Sequence, residues 1–461
     1  MALVIDITTL KKWNRYPVGI TRTLLEFVNF SNENLDVKFV FFSDDKSEIV
    51  ECEQYEVDSI LERLNNGLWE KENRFKLVKK EIIRKYSLVR LILTFIKELK
   101  GGNFRVVARA VYHRSPGFIK YIARNLYLLK KSNISILESN VELNEKINFH
   151  EEEISRDRSI PISEGDIFVS IGLDWDFSNY RLLYEYKNEI RFEVVTCFYD
   201  AIPVTHPELV HSDYFGKVFY THIYNLVHLS DKIFCISKYS EKILIDMINK
   251  QDMGVMPDVK TIHLGGDIDN NKTTSLSLSQ DNYVLFVSTI EARKNHKLLL
   301  DVWEELIEKR GETTPKLILV GMHGWGVDDF FKKYNSEKKF SEFIEIRNSV
   351  SDSELSKLYS QCKFCVFPSI VEGWGLSASE ALSYGKVCLI SEAPSLKEAT
   401  QSLMPVLQND PIVWTEKIGQ LLDDEDYLKN LELDIKNKFE KRSWERFSKD
   451  FVSFILNKAQ D

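Results

Sequence analysis

Glu372 and Glu380 bracket the stretch Val371-Glu-Gly-Trp-Gly-Leu-Ser-Ala-Ser-Glu380. Two carboxylates so spaced beside a helix start suit hydroxyl-rich groups such as a ribose and a hexose, whose protons they accept. Gly373 and Gly375 between them permit close backbone approach, and the positive end of the following helix would face an anion such as a diphosphate. A second stretch, Ser288-Thr-Ile-Glu-Ala-Arg-Lys-Asn-His296, places Arg293 beside Lys294. Paired cations neutralise a phosphate whose charge grows as it departs. A third, Tyr16-Pro-Val-Gly-Ile-Thr-Arg22, would bring the Gly19 amide to the same diphosphate from the opposite side. Taken singly, each stretch also reads as a glycine turn, a solvated basic pair or a helix cap.

Other constellations are weaker. Asp174-Trp-Asp176 has the Asp-x-Asp form that binds a metal-diphosphate, but such triplets arise often by chance, and this one follows a strand in the middle of the first domain. Cys362-Lys-Phe-Cys365 enters an apolar run with no second pair and no histidine nearby, so it reads as buried cysteine rather than a zinc site. With no His-x-x-x-His and no Glu-rich cluster among the histidines, no protein-bound metal is expected.

Strand and helix must alternate to position these stretches. Buried-type strands are expected at 2–7, 37–42, 167–171, 192–198, 232–236 and 259–263, with a helix from Gly19 to Phe30 and another capped by Ser237. A polar stretch at 266–282, rich in Gly, Asn, Ser and Thr, reads as a linker. A second series follows: strands at 283–288, 316–320, 364–367 and 387–390, with helices at 295–310, from the Ser351-Asp-Ser-Glu354 capping box, and at 376–384. Two such runs predict an α/β fold of two Rossmann-like, doubly wound domains facing a cleft, with ligands bound beyond the carboxyl ends of the strands. The expected division is 1–265 for the first domain, 283–440 for the second, and 441–461 for a terminal helix packing back on the first.

Composition bounds the class. The chain has 461 residues, 44% hydrophobic and 28% charged, which is globular and long enough for two domains. Nothing approaches the roughly 20 apolar residues that span a bilayer, and no basic leader precedes the apolar start, so a cytoplasmic location is expected. Six cysteines make no disulfide framework.

The net charge of −9 is unevenly spread. Between Lys71 and Lys131 stand 17 Lys and Arg against three acids, leaving 44 bases and 67 acids elsewhere. Apolar residues at 75, 78, 82, 86, 89 and 93 predict a basic amphipathic helix, and 118–131 is similar. Such helices lie on anionic membrane surfaces, although their bases can also simply be solvated. Without an aromatic-interleaved binding motif in an acidic protein, no nucleic-acid partner is expected.

The carboxyl half resembles the retaining glycosyltransferase family four, which has the GT-B fold. The likeness lies in Phe367-Pro-Ser-Ile-Val-Glu-Gly-Trp-Gly-Leu with Glu380-Ala-Leu-Ser-Tyr-Gly385, in Val287-Ser-Thr-Ile-Glu-Ala-Arg-Lys-Asn, in Leu319-Val-Gly-Met-His-Gly-Trp and in Ser351-Asp-Ser-Glu-Leu. Weaker likeness runs through Val18-Gly-Ile-Thr-Arg-Thr-Leu-Leu, Tyr199-Asp-Ala-Ile-Pro203 and Ile236-Ser-Lys-Tyr-Ser240. The basic block, about 50–160, matches nothing in the family and reads as a helical insertion in the first domain.

The resemblance implies a nucleotide-sugar donor on the second domain. Glu380 would bind the ribose, Glu372 the transferred sugar, and the backbone of Gly373, Trp374, Gly375 and Leu376 the sugar and diphosphate. Lys294 with Arg293 would neutralise the leaving group, and Asp200 would stand on the acceptor side. It further implies no cofactor or metal, retention of configuration, and proton transfer from acceptor hydroxyl to leaving phosphate on one face. Many relatives carry an arginine where this chain has Ser288 and Thr289, for which Arg293 would substitute, and many carry a histidine where it has Tyr199. The expected function is hexose transfer to a glycan or lipid-linked glycan in surface-polysaccharide assembly (O-antigen or capsule), with residues 75–131 docked on the inner leaflet. A sugar-nucleotide epimerase or phosphorylase of the same fold, or a non-catalytic scaffold, is the alternative.

Overall fold

A computed structural model describes residues 1–66, 160–210, 212–268, 282–348 and 350–457. Met1–Gly67 and Ile160–Asp461 form one compact unit. The predicted basic helices at 75–93 and 118–131 lie outside the described residues, as does 269–281 of the predicted linker.

The first sheet takes the order β3-β2-β1-β4-β5-β6-β7. Its strands are β1 (Leu3–Asp6), β2 (Val37–Phe42), β3 (Ile49–Glu51), β4 (Ile167–Ser170), β5 (Glu193–Phe198), β6 (Lys232–Cys235) and β7 (Asp258–Thr261). All pairs are parallel except β2 with β3. The inner strands β1, β4 and β6 are buried throughout, as expected where helices cover both faces.

The second sheet is wholly parallel, in the order β10-β9-β8-β11-β12-β13. It comprises β8 (Tyr283–Val287), β9 (Lys316–Val320), β10 (Ile344–Arg347), β11 (Phe364–Phe367), β12 (Cys388–Ser391) and β13 (Val406–Leu407). Trp303, Tyr359 and Trp414 are the bulkiest side chains wholly buried in its core.

Strand order reverses between β1 and β4 in one sheet and between β8 and β11 in the other. A crevice opens at such a reversal because neighbouring strands send their connections to opposite faces. In the second sheet, the loop after β8 leads to Arg293 and Lys294, and the loop after β11 leads to Glu372.

Two expectations change. The insertion was expected from about residue 50, yet β3 pairs with β2, and the helix Gln54–Asn65 buries Val57, Ile60, Leu61 and Leu64. Its apolar spacing, not the basic block that follows, decides where this stretch packs. The predicted linker also begins as packed structure. Gly266 donates its amide to the Arg442 carbonyl at 2.9 Å, and Asp267 accepts from the Trp444 amide at 2.8 Å. A Cβ on Gly265 would lie 2.6 Å from the Trp444 nitrogen, so only glycine allows this approach.

The terminal helix Trp444–Ile455 packs on the first sheet's layer. Phe451 meets Phe27 and Phe234 with ring centroids 4.8 and 4.5 Å apart, and Lys232 donates to the Ile455 carbonyl at 2.7 Å.

Candidate functional site

Glu372 lies in the loop after β11, ahead of the helix Leu376–Ser383. Its carboxylate is buried and bound at both oxygens. Lys294 Nζ lies 2.5 Å from Oε1 and Arg293 Nη1 lies 2.6 Å from Oε2. Burial opposes its charge, but Arg293 and Lys294 outweigh it and hold the group ionised, with a pKa of about 2. Both cations come from the short turn Ala292–Lys294 after β8, which Asn295 closes with φ 59°.

Glu291, within Ser288–His296, belongs to this cluster although its linear position between Ile290 and Ala292 carries no signal for it. Its Oε1 lies 2.6 Å from Arg293 Nε. Burial pushes its carboxyl up, against the pull of Arg293 and Lys294. Asp200, after β5, is a third acid here, partly buried. Burial raises it while Arg293 lowers it, and its Oδ1 accepts the Ile202 amide at 2.9 Å.

Gly373 is where the two sheets' layers meet. A Cβ there would sit 2.6 Å from the Tyr199 carbonyl oxygen and 3.2 Å from Asp200 Cβ. Its own carbonyl accepts from the Ser237 hydroxyl at 2.7 Å. Gly375 takes φ 107° and lies against Leu396, where a Cβ would come within 2.3 Å of a methyl carbon. The amides of Gly373, Trp374 and Gly375 find no acceptor among the described residues. Trp374 stacks on His263 at 4.8 Å and 23°, and its buried indole N–H is likewise unpartnered. His263 Nε2 in turn meets Glu398 Oε1 at 2.6 Å.

Glu380 is one turn inside the helix that Leu376 opens. Tyr359 donates its hydroxyl to it at 2.9 Å. Burial pushes its carboxyl up to about 7, against the pull of Tyr359 and Arg22. Arg22 comes from the first domain and binds both oxygens of Asp352 at 2.6 Å. Gly19 precedes the helix Ile20–Asn34, which bears Arg22, with φ 50° and open space where a side chain would stand. Its carbonyl accepts from the Thr23 amide, and it makes no hydrogen bond to the Glu372 cluster. Thus Glu372, Arg293 and Lys294 form one hydrogen-bonded cluster with Asp200 alongside, while Glu380 and Gly19 stand apart from it.

The rival motif is divided. Asp174 is buried, with hydroxyls from Ser170 and Ser178 at 2.8 and 3.3 Å, whereas Asp176 is exposed. Among the described residues, no group of three or more His, Cys, Asp or Glu side chains is placed to hold a metal ion. Cys362 and Cys365 are buried thiols with sulfurs 3.7 Å apart. No described helix is long and apolar enough to cross a membrane.

The chain is similar to known proteins. Residues 267–441 match the family model described as Glycosyl transferases group 1. The O-antigen chain mannosyltransferase B of Escherichia coli is 32% identical over 151 residues, covering 32% of this chain and 39% of that relative. The serotype-specific mannosyltransferase WbdA, also of Escherichia coli, is 24% identical over 218 residues, covering 46% and 27%. The chain thus spans well under half the length of either relative.

Among solved structures, Anabaena Alr3699/HepE in complex with UDP and glucose superposes with a TM-score of 0.50 at 14% identity, covering 63% of this chain and 78% of that one. The pneumococcal O-GlcNAc transferase GtfA, in complex with UDP and GlcNAc, gives 0.50 at 14%, covering 64% and 57%. These likenesses establish the architecture of two facing Rossmann-like domains, the GT-B fold. Residues 267–441, the part that matches the glycosyl transferases group 1 model, carry Glu372, Glu380, Arg293 and Lys294.

Proposed function

We propose that the protein is a retaining glycosyltransferase that moves a hexose, mannose or glucose in kind, from a nucleoside diphosphate to a glycan or lipid-linked glycan during surface-polysaccharide synthesis. One observation carries the reading. A buried, ionised Glu372, clamped by Arg293 and Lys294, borders the amides of Gly373, Trp374 and Gly375, which find no acceptor among the described residues, at a strand-order reversal. Mannosyltransferase names among the similar proteins support the sugar class.

In this scheme Glu372 accepts hydrogen bonds from the transferred sugar, and Glu380 binds the ribose. The amides of Gly373 to Leu376 and the Trp374 indole face sugar and diphosphate. The bond from anomeric carbon to diphosphate oxygen breaks as the acceptor oxygen bonds that carbon on the same face, and the acceptor proton passes to the departing phosphate. Lys294 and Arg293 stabilise that phosphate, while Asp200 stands on the acceptor side. The chain's contribution is position and charge, with no cofactor or metal in the scheme.

Thermal-shift binding of UDP-, GDP-, dTDP-, ADP- and CMP-sugars identifies the donor. A ligand at a hundred times its dissociation constant stabilises the fold by about 2.7 kcal/mol. Release of nucleoside diphosphate should then require acceptor and collapse in Glu372→Gln. Full turnover in that variant would refute the assignment of Glu372.

The charge of residues 75–131 supports docking on an anionic membrane from the cytoplasmic side. Their removal should release the protein from anionic vesicles, and unchanged binding would refute the docking.

A further inference from the structure

The cluster around Glu372 is short of positive charge for a diphosphate. Arg293 and Lys294 bring two cations, and Glu291, Glu372 and Asp200 bring three carboxyls. Arg22 is likewise engaged, with Asp352 and Glu26. A departing diphosphate needs a cation that is not already paired.

Arg15 is such a cation. It lies in the loop between the helix Thr8–Lys12 and Gly19, on the chain that leaves β1 at the first sheet's reversal. Its guanidinium has no carboxylate partner among the described residues. Partial desolvation of this exposed side chain pulls its ionisation down, and no carboxylate among the described residues opposes that pull. Trp13 holds the guanidinium at 4.4 Å from its ring centroid. Stacking of that kind fixes the plane, and the acceptor that the in-plane N–H fork meets among the described residues is the weak thioether sulfur of Met322, which an oxyanion would displace.

The loop also reaches the second domain. Arg15 Nη1 lies 3.7 Å from Met322 Sδ, in the loop after β9. That loop is tied to the one bearing Arg293 and Lys294. Ile290 donates to the Met322 carbonyl at 2.8 Å, and Ala292 to the Trp325 carbonyl at 3.0 Å. A Cβ on Gly321 would fall 1.8 Å from the Ser288 carbonyl oxygen, so nothing separates the two loops. Arg15 therefore stands over the same strand ends as the Glu372 cluster, from the opposite domain.

We propose that Arg15 binds a phosphate of the ligand in the cleft, through its guanidinium fork. This rests on the nucleotide-sugar reading above. The phosphate has two sources, the donor's diphosphate or that of a lipid-linked acceptor.

Calorimetry separates them, comparing wild type, Arg15→Ala and Arg15→Lys with UDP, GDP, uridine, guanosine and geranyl diphosphate. Because Arg15 is exposed, Arg15→Ala should keep its ligand-free unfolding temperature. It should lose affinity for the diphosphate about tenfold or more, with nucleoside binding unchanged. Arg15→Lys, which keeps the charge and loses the fork, should fall between. Loss confined to UDP or GDP assigns the donor, and loss confined to geranyl diphosphate assigns the acceptor. Wild-type affinity of Arg15→Ala for every diphosphate overturns the proposal and leaves the donor reading standing. A parallel loss of nucleoside affinity, or a lowered unfolding temperature, makes Arg15 structural and overturns it too. A wild-type protein that binds none of the diphosphates overturns both.

Discussion

The Ser237 hydroxyl donates to the Gly373 carbonyl at 2.7 Å. The start of a helix in the first domain thereby grips the loop that presents Glu372 in the second. Ser240, one turn on, donates to the Tyr199 carbonyl at 2.9 Å, so both sides of the Gly373 contact are held from one helix.

Gly373→Ala tests how closely the layers must meet. Its methyl would collide with the Tyr199 carbonyl, a backbone atom that cannot swing aside. Strain of this kind costs about 1–3 kcal/mol. Chemical denaturation should show that loss, and donor KM should rise because Glu372 moves with the loop.

Glu372→Ala removes the counter-charge of two cations at once. Breaking a buried ion pair from one side costs about 3–5 kcal/mol because the partners stay desolvated. Lys294 is the more exposed to this, since burial already pulls its ionisation down and Glu372 opposes that pull. Glu372→Ala combined with Lys294→Met should therefore be more stable than Glu372→Ala alone, yet remain inactive. Urea unfolding of wild type and the two variants beside an acceptor-dependent turnover assay checks both halves.

Glu398 closes a further bridge between the domains. It accepts the Lys238 amide at 2.8 Å and meets His263 at 2.6 Å. Burial opposes its ionisation, but the His263 and Lys238 hydrogen bonds prevail and its carboxyl sits below the usual glutamate range. A depressed acid stabilises above its unfolded pKa, and that gain is lost as pH falls through the folded value. Glu398→Ala should cost about 1–2 kcal/mol at pH 7, as loss of a helix cap does. The difference from wild type should shrink in acid, read by urea unfolding at both pH values.

Asp174 has the opposite sign. Burial and the nearby Asp6 push its carboxyl up to about 7, despite the hydroxyls of Ser170 and Ser178. The folded chain then holds a proton that the unfolded chain releases near pH 4. Stability should fall as pH rises from about 4 to 7, by at most about 1.4 kcal/mol per pH unit from this group. Asp174→Asn keeps an acceptor for Ser170 and should flatten the slope. A slope unchanged in the variant would show that Asp174 does not carry it.

The two-run alternation of strand and helix was legible because inner parallel strands are apolar on both faces and helices show a 3.6-residue period. Strands β3, β10 and β13 were missed. They lie at sheet edges, where shorter length and one-sided burial blur the signal. The helix Gln54–Asn65 reads as part of the insertion in sequence because the basic block that follows dominates the composition.

At the site, the local chemistry is legible in the chain alone. Carboxylates, cations and glycines fall in loops after strands, and a loop's position after its strand is set by the order of the chain. Pairing across distance was decided only in three dimensions. Nothing in linear spacing says that Arg293 and Lys294 turn onto Glu372, 78 or 79 residues away. Nor does it join Arg22 to Asp352 across 330 residues, or bring Ser237 to Gly373 across 136. Such contacts depend on strand order and on how two layers meet, where desolvation forces each buried charge to find its partner.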